Sequence, residues 1–509
     1  MKAESPEQLQ TGPEIAEGRE AVTRLARGVS INLPVRFIGR ALSLAVQALL
    51  ARLLGPEAFG RYAVGWNLLR LVESLGPLGV DKAVIRLTAG PSQGRGAVLS
   101  TAILAALGSG GLLGLALWLM SPFLSNQVFH DPGLQVVLRS FAPGFGLAAG
   151  LIVAAAATRA TQSMQYSALG LDLALPATNL VLVSVVYALG VGLVGYVLAA
   201  LASYLVALGL MVAFLYRLYP ELRREASASM QELRRLVGIA WPIWLASLAT
   251  ALINRIDRVV LPVFRPVADV GVYQAAAQFS ALFPIILSVF TMAYTPILAA
   301  GFKQGATQQL MALYRVSTKW GIYLSLPAFV VLFLAPGPLL AAVYGSTFAT
   351  GERVLQVLMI GQLINVCTGS TNMTLVMTGL ERWLARISWV ALVASLVLNV
   401  ALIPVLGAIG AAVAASTAQV VLSGGALLHV RSALGMWPYD RTLAKGLLSA
   451  IIAGGVLAVI LARVPLEQPA VLAVSLGSVG ATYFGVLVLQ GLDEDDRAFL
   501  RSVVLRNRG

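Results

Sequence analysis

The sequence is short of charge. Asp, Glu, Lys and Arg make up only 12% of its 509 residues, while 58% are hydrophobic; a soluble chain carries about 25% charged residues. So little charge cannot cover the surface of a soluble domain this large, which excludes a soluble enzyme. A disordered chain is excluded as well, because it would combine low hydrophobicity with high charge. Cysteine is nearly missing. Cys367 stands alone, so no internal disulfide can form. With two histidines, His130 and His429, neither a His-rich metal site nor a Ser-His-Asp set can be argued. No GxxxxGK[ST] loop is present, which argues against ATP hydrolysis by this chain. The expectation is a non-enzyme without a cofactor. The first 28 residues are polar and include Arg19, Arg24 and Arg27, so no cleavable signal peptide is visible.

What the sequence does have is a series of long apolar runs. They fall near 29–53, 59–80, 96–120, 134–157, 165–190 and 193–216. After a basic stretch they resume near 237–264, 272–299, 318–344, 354–379, 383–405, 408–430, 443–463 and 469–490. A membrane-spanning helix takes about 20 mostly apolar residues, so the runs predict an all-α polytopic membrane protein of about 14 transmembrane helices. The expected organisation is a cytosolic N-terminal segment (1–28), a six-helix bundle (29–219), a basic cytosolic linker (220–236) and a second six-helix bundle (237–431). Helices 13 and 14 (432–490) and a charged cytosolic tail (491–509) complete it. The Asp493-Glu494-Asp495-Asp496 run in that tail contains a DxD pattern, but reads better as an acidic helix start.

Charge sets the orientation. The net charge of +13 would suggest nucleic acid in a soluble domain; in a membrane protein, cytosolic loops hold the excess Lys and Arg instead. With the N-terminus placed in the cytosol, 25 basic residues fall inside, Arg159 and Lys319 among them, 5 fall outside and 6 fall within spans. This predicts a multi-pass protein of the cell inner (plasma) membrane with both termini cytosolic and no nucleic-acid partner.

The two halves also resemble each other. Gly60-x-Tyr62 recurs as Gly271-x-Tyr273 at an offset of 211, and GLVGYVLAA (192–200) recurs as GAIGAAVAA (407–415) at an offset of 215. Small residues recur in membrane helices because they let backbones approach, yet two matches at nearly one offset favour duplication. Six-helix repeats would share one topology, with a cavity expected between them.

Six arginines lie inside spans: Arg36, Arg40, Arg70, Arg139, Arg255 and Arg258. Each costs about 2.5–3.5 kcal/mol at a helix centre, so six facing lipid would cost roughly 15–20 kcal/mol. They should face water or a carboxylate, and only Glu73, Asp172 and Asp257 are available within spans. The surplus predicts a cationic interior suited to an anionic group, because guanidinium forks match phosphate oxygens. Blander roles stay open: Arg36 and Arg139 could snorkel, Arg70 could pair with Glu73, and Asp257 could neutralise a neighbouring arginine. The three acids are candidate counter-ions or coupling-ion sites. The tenth run carries a polar face of Gln362, Asn365, Thr368, Asn372 and Thr378, suited either to sugar or to interhelical hydrogen bonds.

These residues carry a family resemblance. ARLLGPEAFGRYA (51–63), followed by GVDKAVIRL (79–87), resembles the opening of Wzx-type polysaccharide-biosynthesis flippases. Those belong to the multidrug/oligosaccharidyl-lipid/polysaccharide exporter superfamily. NRIDRVVLPVFRPVADVGVYQAA (254–276), YTPILA (294–299) and NVALIPVLGAIGAAVAAS (399–416) are similar in the second half. The resemblance implies two six-helix bundles in a V plus two C-terminal helices, and a polyprenyl-diphosphate-linked oligosaccharide moved from inner to outer leaflet by alternating access. It implies membrane lipids, and glycan polymerases or synthases, as partners, in O-antigen, capsule or exopolysaccharide synthesis. Arg36, Arg40, Arg70, Arg139, Arg255, Arg258, Asn365 and Asn372 are the expected substrate contacts. A drug or organic-cation antiporter of the same superfamily would need an acidic interior instead. A peptidoglycan-precursor flippase is a further alternative, though the eighth run offers Gln274 and Gln278 where such flippases carry arginine.

Overall fold

The computed structural model describes residues 13–88, 94–161, 164–223, 228–303, 307–464 and 468–491, and no strand occurs among them. The chain opens with α1 (Pro13–Leu75), α2 (Val80–Thr88), α3 (Arg95–Phe123), α4 (Leu134–Phe141), α5 (Gly144–Arg159), α6 (Met164–Ser167), α7 (Leu175–Leu189) and α8 (Gly192–Leu218). The second half comprises α9 (Met230–Ile253), α10 (Ile256–Phe264), α11 (Val267–Ser280), α12 (Pro284–Lys303), α13 (Thr307–Leu334), α14 (Pro336–Tyr344), α15 (Glu352–Thr368), α16 (Thr371–Met377), α17 (Glu381–Leu406) and α18 (Ala408–Leu434). Two further helices, α19 (Leu443–Arg463) and α20 (Gln468–Leu489), pack on each other and on α13 and α14.

Among the described residues, eleven stretches are long and apolar enough to cross a membrane, and two bent pairs bring the number to 13. The expected 14 is therefore not reached. The difference lies in Pro34–Thr88, which counts once at 55 residues. At 1.5 Å per residue it would reach about 80 Å as one straight rod, against a hydrocarbon core of about 30 Å. It is not straight: Gly55 leaves the helical region at φ 70° and ψ 174°, a conformation open to glycine. The runs expected at 29–53 and 59–80 lie on either side of that break.

Other boundaries shift for one physical reason. An apolar run is read as starting after its last charge, whereas a helix can begin earlier and carry charges with it. The linker expected at 220–236 is thus partly helical, because α9 starts at Met230 and pairs Arg235 with Glu232 at 3.7 Å. Likewise α13 starts at Thr307, well before the run expected at 318, and breaks at Leu334 rather than reaching 344. Lys319, expected in a cytosolic loop, is 3% exposed inside α13. Residues 1–12 of the expected N-terminal segment, and the tail from 492 with its Asp493–Asp496 run, lie outside the described residues.

The halves meet along one seam. Beyond Gly55, α1 packs lengthwise against α11, and the repeated glycines set the distance. A Cβ on Gly60 would lie 1.7 Å from the Val267 carbonyl oxygen, and one on Gly271 would lie 2.2 Å from that of Pro56. Further along, the buried Asn67 amide donates to Gln274 Oε1 at 3.1 Å, tying the two halves by side chains.

Candidate functional site

Arg36 and Arg40 lie one turn apart on α1 and therefore share a face. Arg40 precedes the Gly55 break by as many residues as Arg70 follows it. The two charges are near enough to repel. Against this face lies a π-helical turn, Ala168–Ala174, between α6 and α7. The two elements touch at Gly39, where a Cβ would overlap the Asp172 carbonyl oxygen at 1.6 Å. That approach delivers the Asp172 carboxylate to 3.5 Å from Arg36 Nε, with 48% of the arginine and 36% of the aspartate side chain exposed. The charges of Arg40, Arg159 and Arg70 also act on Asp172. A wide π turn often marks a functional position.

Deeper in, Arg70 Nη1 sits 2.8 Å from Glu73 Oε2 and 2.9 Å from Oε1. Glu73 also accepts from the Tyr204 hydroxyl on α8, and all of this is buried or half-buried. The second half contributes Arg255, at the break between α9 and α10, where φ −145° and ψ −11° interrupt the helix. Its charge is felt from Arg70, Arg258 and Glu73. Next to it, the buried Asp257 accepts from the Tyr273 hydroxyl of α11, and Arg258 Nε stands 4.0 Å away. Each half thus seats one acid on a tyrosine hydroxyl.

The structure brings Arg36, Arg40, Arg70 and Arg255 together with Asp172 and Glu73, and places Arg258 and Asp257 beside them. Arg139 is elsewhere. Its Nε donates to the Ser121 hydroxyl at 3.1 Å, and its guanidinium lies 5.0 Å from the centre of the Trp118 ring on α3. Asn365 is used between helices: its amide oxygen accepts from Ser423 of α18 at 3.2 Å. Asn372 leaves a buried amide oxygen with no hydrogen bond among the described residues. Around it the second half is polar but neutral, with Thr291 and Ser370 hydroxyls 2.7 Å apart and Tyr314 donating to the Thr368 carbonyl at 2.9 Å. Sequence reading missed Arg159, which it left in a loop, and the hydroxyls of Tyr204 and Tyr273. Arg159 carried a signal, since it directly follows an unbroken uncharged run (140–158). Tyr204 carried none, because its partner is 131 residues away. Among the described residues no group of three His, Cys, Asp or Glu could hold a metal ion.

Comparison with known proteins adds the family. The profile described as "Polysaccharide biosynthesis protein" matches residues 25–302, and the MatE profile matches residues 242–401. Among curated relatives, the probable flippase AglR of Haloferax volcanii is 28% identical over 256 residues, which is 48% of this chain and 52% of that one. The chain thus spans about half the length of that relative. Among solved structures, the lipid II flippase MurJ in an inward closed conformation aligns with a TM-score of 0.72 at 13% identity, covering 93% of this chain and 99% of MurJ. An inward-facing multidrug resistance MATE family transporter aligns at 0.63 and 18% identity, covering 79% of this chain and 98% of that one. At such identities the likeness concerns the fold.

Proposed function

The chain belongs to the polysaccharide biosynthesis protein family, within the superfamily of multidrug, oligosaccharidyl-lipid and polysaccharide exporters, and from that premise we propose that it flips a polyprenyl-diphosphate-linked oligosaccharide from the inner to the outer leaflet by alternating access. The observation that carries this reading is the gathering of Arg36, Arg40, Arg70 and Arg255 from both halves of the molecule. Four permanent charges around two carboxylates leave an excess that a diphosphate neutralises. Guanidinium groups offer paired donors to phosphate oxygens whatever the pH. Arg36 and Arg40 are exposed and Asp172 is half-buried beside them, so these three stand at its entrance. Arg70 and Arg255 lie further in. In this reading the neutral hydroxyls and amides near Asn365 and Asn372 face the glycan, and the prenyl chain stays in lipid.

An organic-cation antiporter is less well supported. Its cargo would need an accessible acid free of cations. Glu73 and Asp257 are each engaged by a tyrosine and held at or near an arginine, and the more open Asp172 lies 3.5 Å from Arg36, where an organic cation would meet like charge. The test is a binding titration on purified full-length protein. A polyprenyl-diphosphate oligosaccharide should bind, and tetraphenylphosphonium should not compete; the opposite ranking overturns the proposal. The orientation, with both termini cytosolic, rests on the 25 to 5 distribution of basic residues. Reporter fusions after Gly509 and within 121–133 should report opposite compartments, and agreement between them would refute it.

A further inference from the structure

The three acids placed within the spans are held in two different ways. Glu73 is 9% exposed and Asp257 is 5% exposed, and each accepts from a tyrosine hydroxyl of another helix. Those carboxylates are fixtures of the packing. Asp172 is different. Among the described residues its carboxylate has no hydrogen bond, only the 3.5 Å approach of Arg36, and over a third of its side chain is open. Yet Arg36, Arg40, Arg159 and Arg70 are all close enough for their charges to act on it. It is a loosely held anion in the place where the arginines converge.

We propose that Asp172 is an internal stand-in for the substrate's diphosphate: it neutralises the arginines when the carrier is empty, yields them when the diphosphate arrives, and reclaims them to drive release. This rests on the diphosphate-binding reading given above and adds how that site is emptied. The need for such a group follows from elementary electrostatics. Uncompensated arginines within a membrane are costly, so an empty carrier requires a counter-charge. A translocation site must also bind weakly enough to let go, and four arginines alone would hold a diphosphate too tightly. A tethered carboxylate at high local concentration solves both problems, since every gain the diphosphate makes is measured against the ion pairs it must break. The geometry suits exchange, because a half-open ion pair near a surface is weak and easily traded. The other charged groups near it are Arg36, Arg40, Arg70 and Arg159, with Asp81 acting on Arg159; a carboxylate released by Arg36 stays within their field.

The experiment measures binding and export together on the full-length chain. The binding probe is farnesyl diphosphate, and export is read as surface glycan in a strain lacking the protein, normalised to the amount in the membrane. Asp172→Asn keeps size and removes the charge. It should bind the probe about fivefold more tightly, the worth of one half-exposed ion pair, and export more slowly. Asp172→Glu should restore both toward wild type. A merely structural aspartate predicts instead weaker binding and slower export together. Unchanged or weaker probe binding by a folded Asp172→Asn protein, while wild type binds, overturns this inference alone. If wild type itself fails to bind the probe, the diphosphate site falls and this inference with it.

Discussion

The two halves of the molecule share a packing scheme and differ in charge. At the 211-residue offset, Gly60 and Tyr62 match Gly271 and Tyr273, and the paired glycines touch each other across the seam. Over the same stretch Arg36, Arg40, Arg70 and Glu73 match Ser247, Ala251, Ala281 and Pro284. Conversely Asp257 and Arg258 match Val46 and Gln47. Positions that set how helices approach recur in both halves, while positions that carry charge belong to one. Within the expected spans the first half is thus the more charged partner and the second, apart from Arg255, α10 and Lys319, a neutral polar one. That division suits a cargo with a charged end and an uncharged one.

Several substitutions would break or sharpen this contrast. The strongest effect is expected at Arg70. Arg70→Ala leaves Glu73 buried without its cation and should cost about 3 kcal/mol, the lower end for breaking a buried pair because Arg70 is itself half-buried. Arg70→Ala combined with Glu73→Ala should regain most of that stability in thermal unfolding. If Arg70 also holds substrate, the double variant will be stable and still fail to export; recovery of export would reduce Arg70 to a structural ion pair. Arg40 is the companion case, where Arg40→Ala should lose export and Arg40→Lys keep part of it, since a point charge still attracts phosphate.

The seam comes next. Gly60→Ala and Gly271→Ala each push a methyl group into the opposing backbone, and overpacking of this kind costs about 1–3 kcal/mol. Similar losses from both would support the shared packing scheme, while a loss from only one would break the symmetry. Tyr273→Phe should cost about 1–2 kcal/mol, because it removes the hydroxyl that Asp257 accepts from. A Tyr204→Phe variant gives the matched measurement in the first half, and a larger loss there would mark Glu73 as the costlier acid. The smallest effects belong to the neutral side. Asn365→Ala and Cys367→Ala should each change stability by less than about 1 kcal/mol and leave farnesyl diphosphate affinity unchanged. A marked loss of probe binding by either would move the charged end of the cargo into the second half.

Sequence reading recovered the class of the fold because apolar runs of about 20 residues have one physical meaning. It found the surplus of arginines for the same reason, since charge in such a run stands out. Depth and facing were harder. Arg139 and Arg40 look alike in a run, yet one rests on Trp118 and the other joins the cluster, and only tertiary packing separates them. Lys319 and Arg159 were assigned to loops because a run is delimited by its charges, so a charge near its end is assigned outside it. The Asn67–Gln274 bond and the two tyrosine–acid contacts join residues far apart in sequence, or set by the crossing of helices, and no local pattern announces them.

The seam at Gly60 and Gly271 has a consequence for the cell's energy supply. Two helices that lie backbone against backbone leave no room between them for a file of water, and protons need such a file to move. A carrier for the cargo proposed above would be a hazard to the membrane potential unless some closure were tight on the atomic scale. Here two hydrogen atoms, in place of two methyl groups, let the two backbones meet closely enough to serve as such a closure.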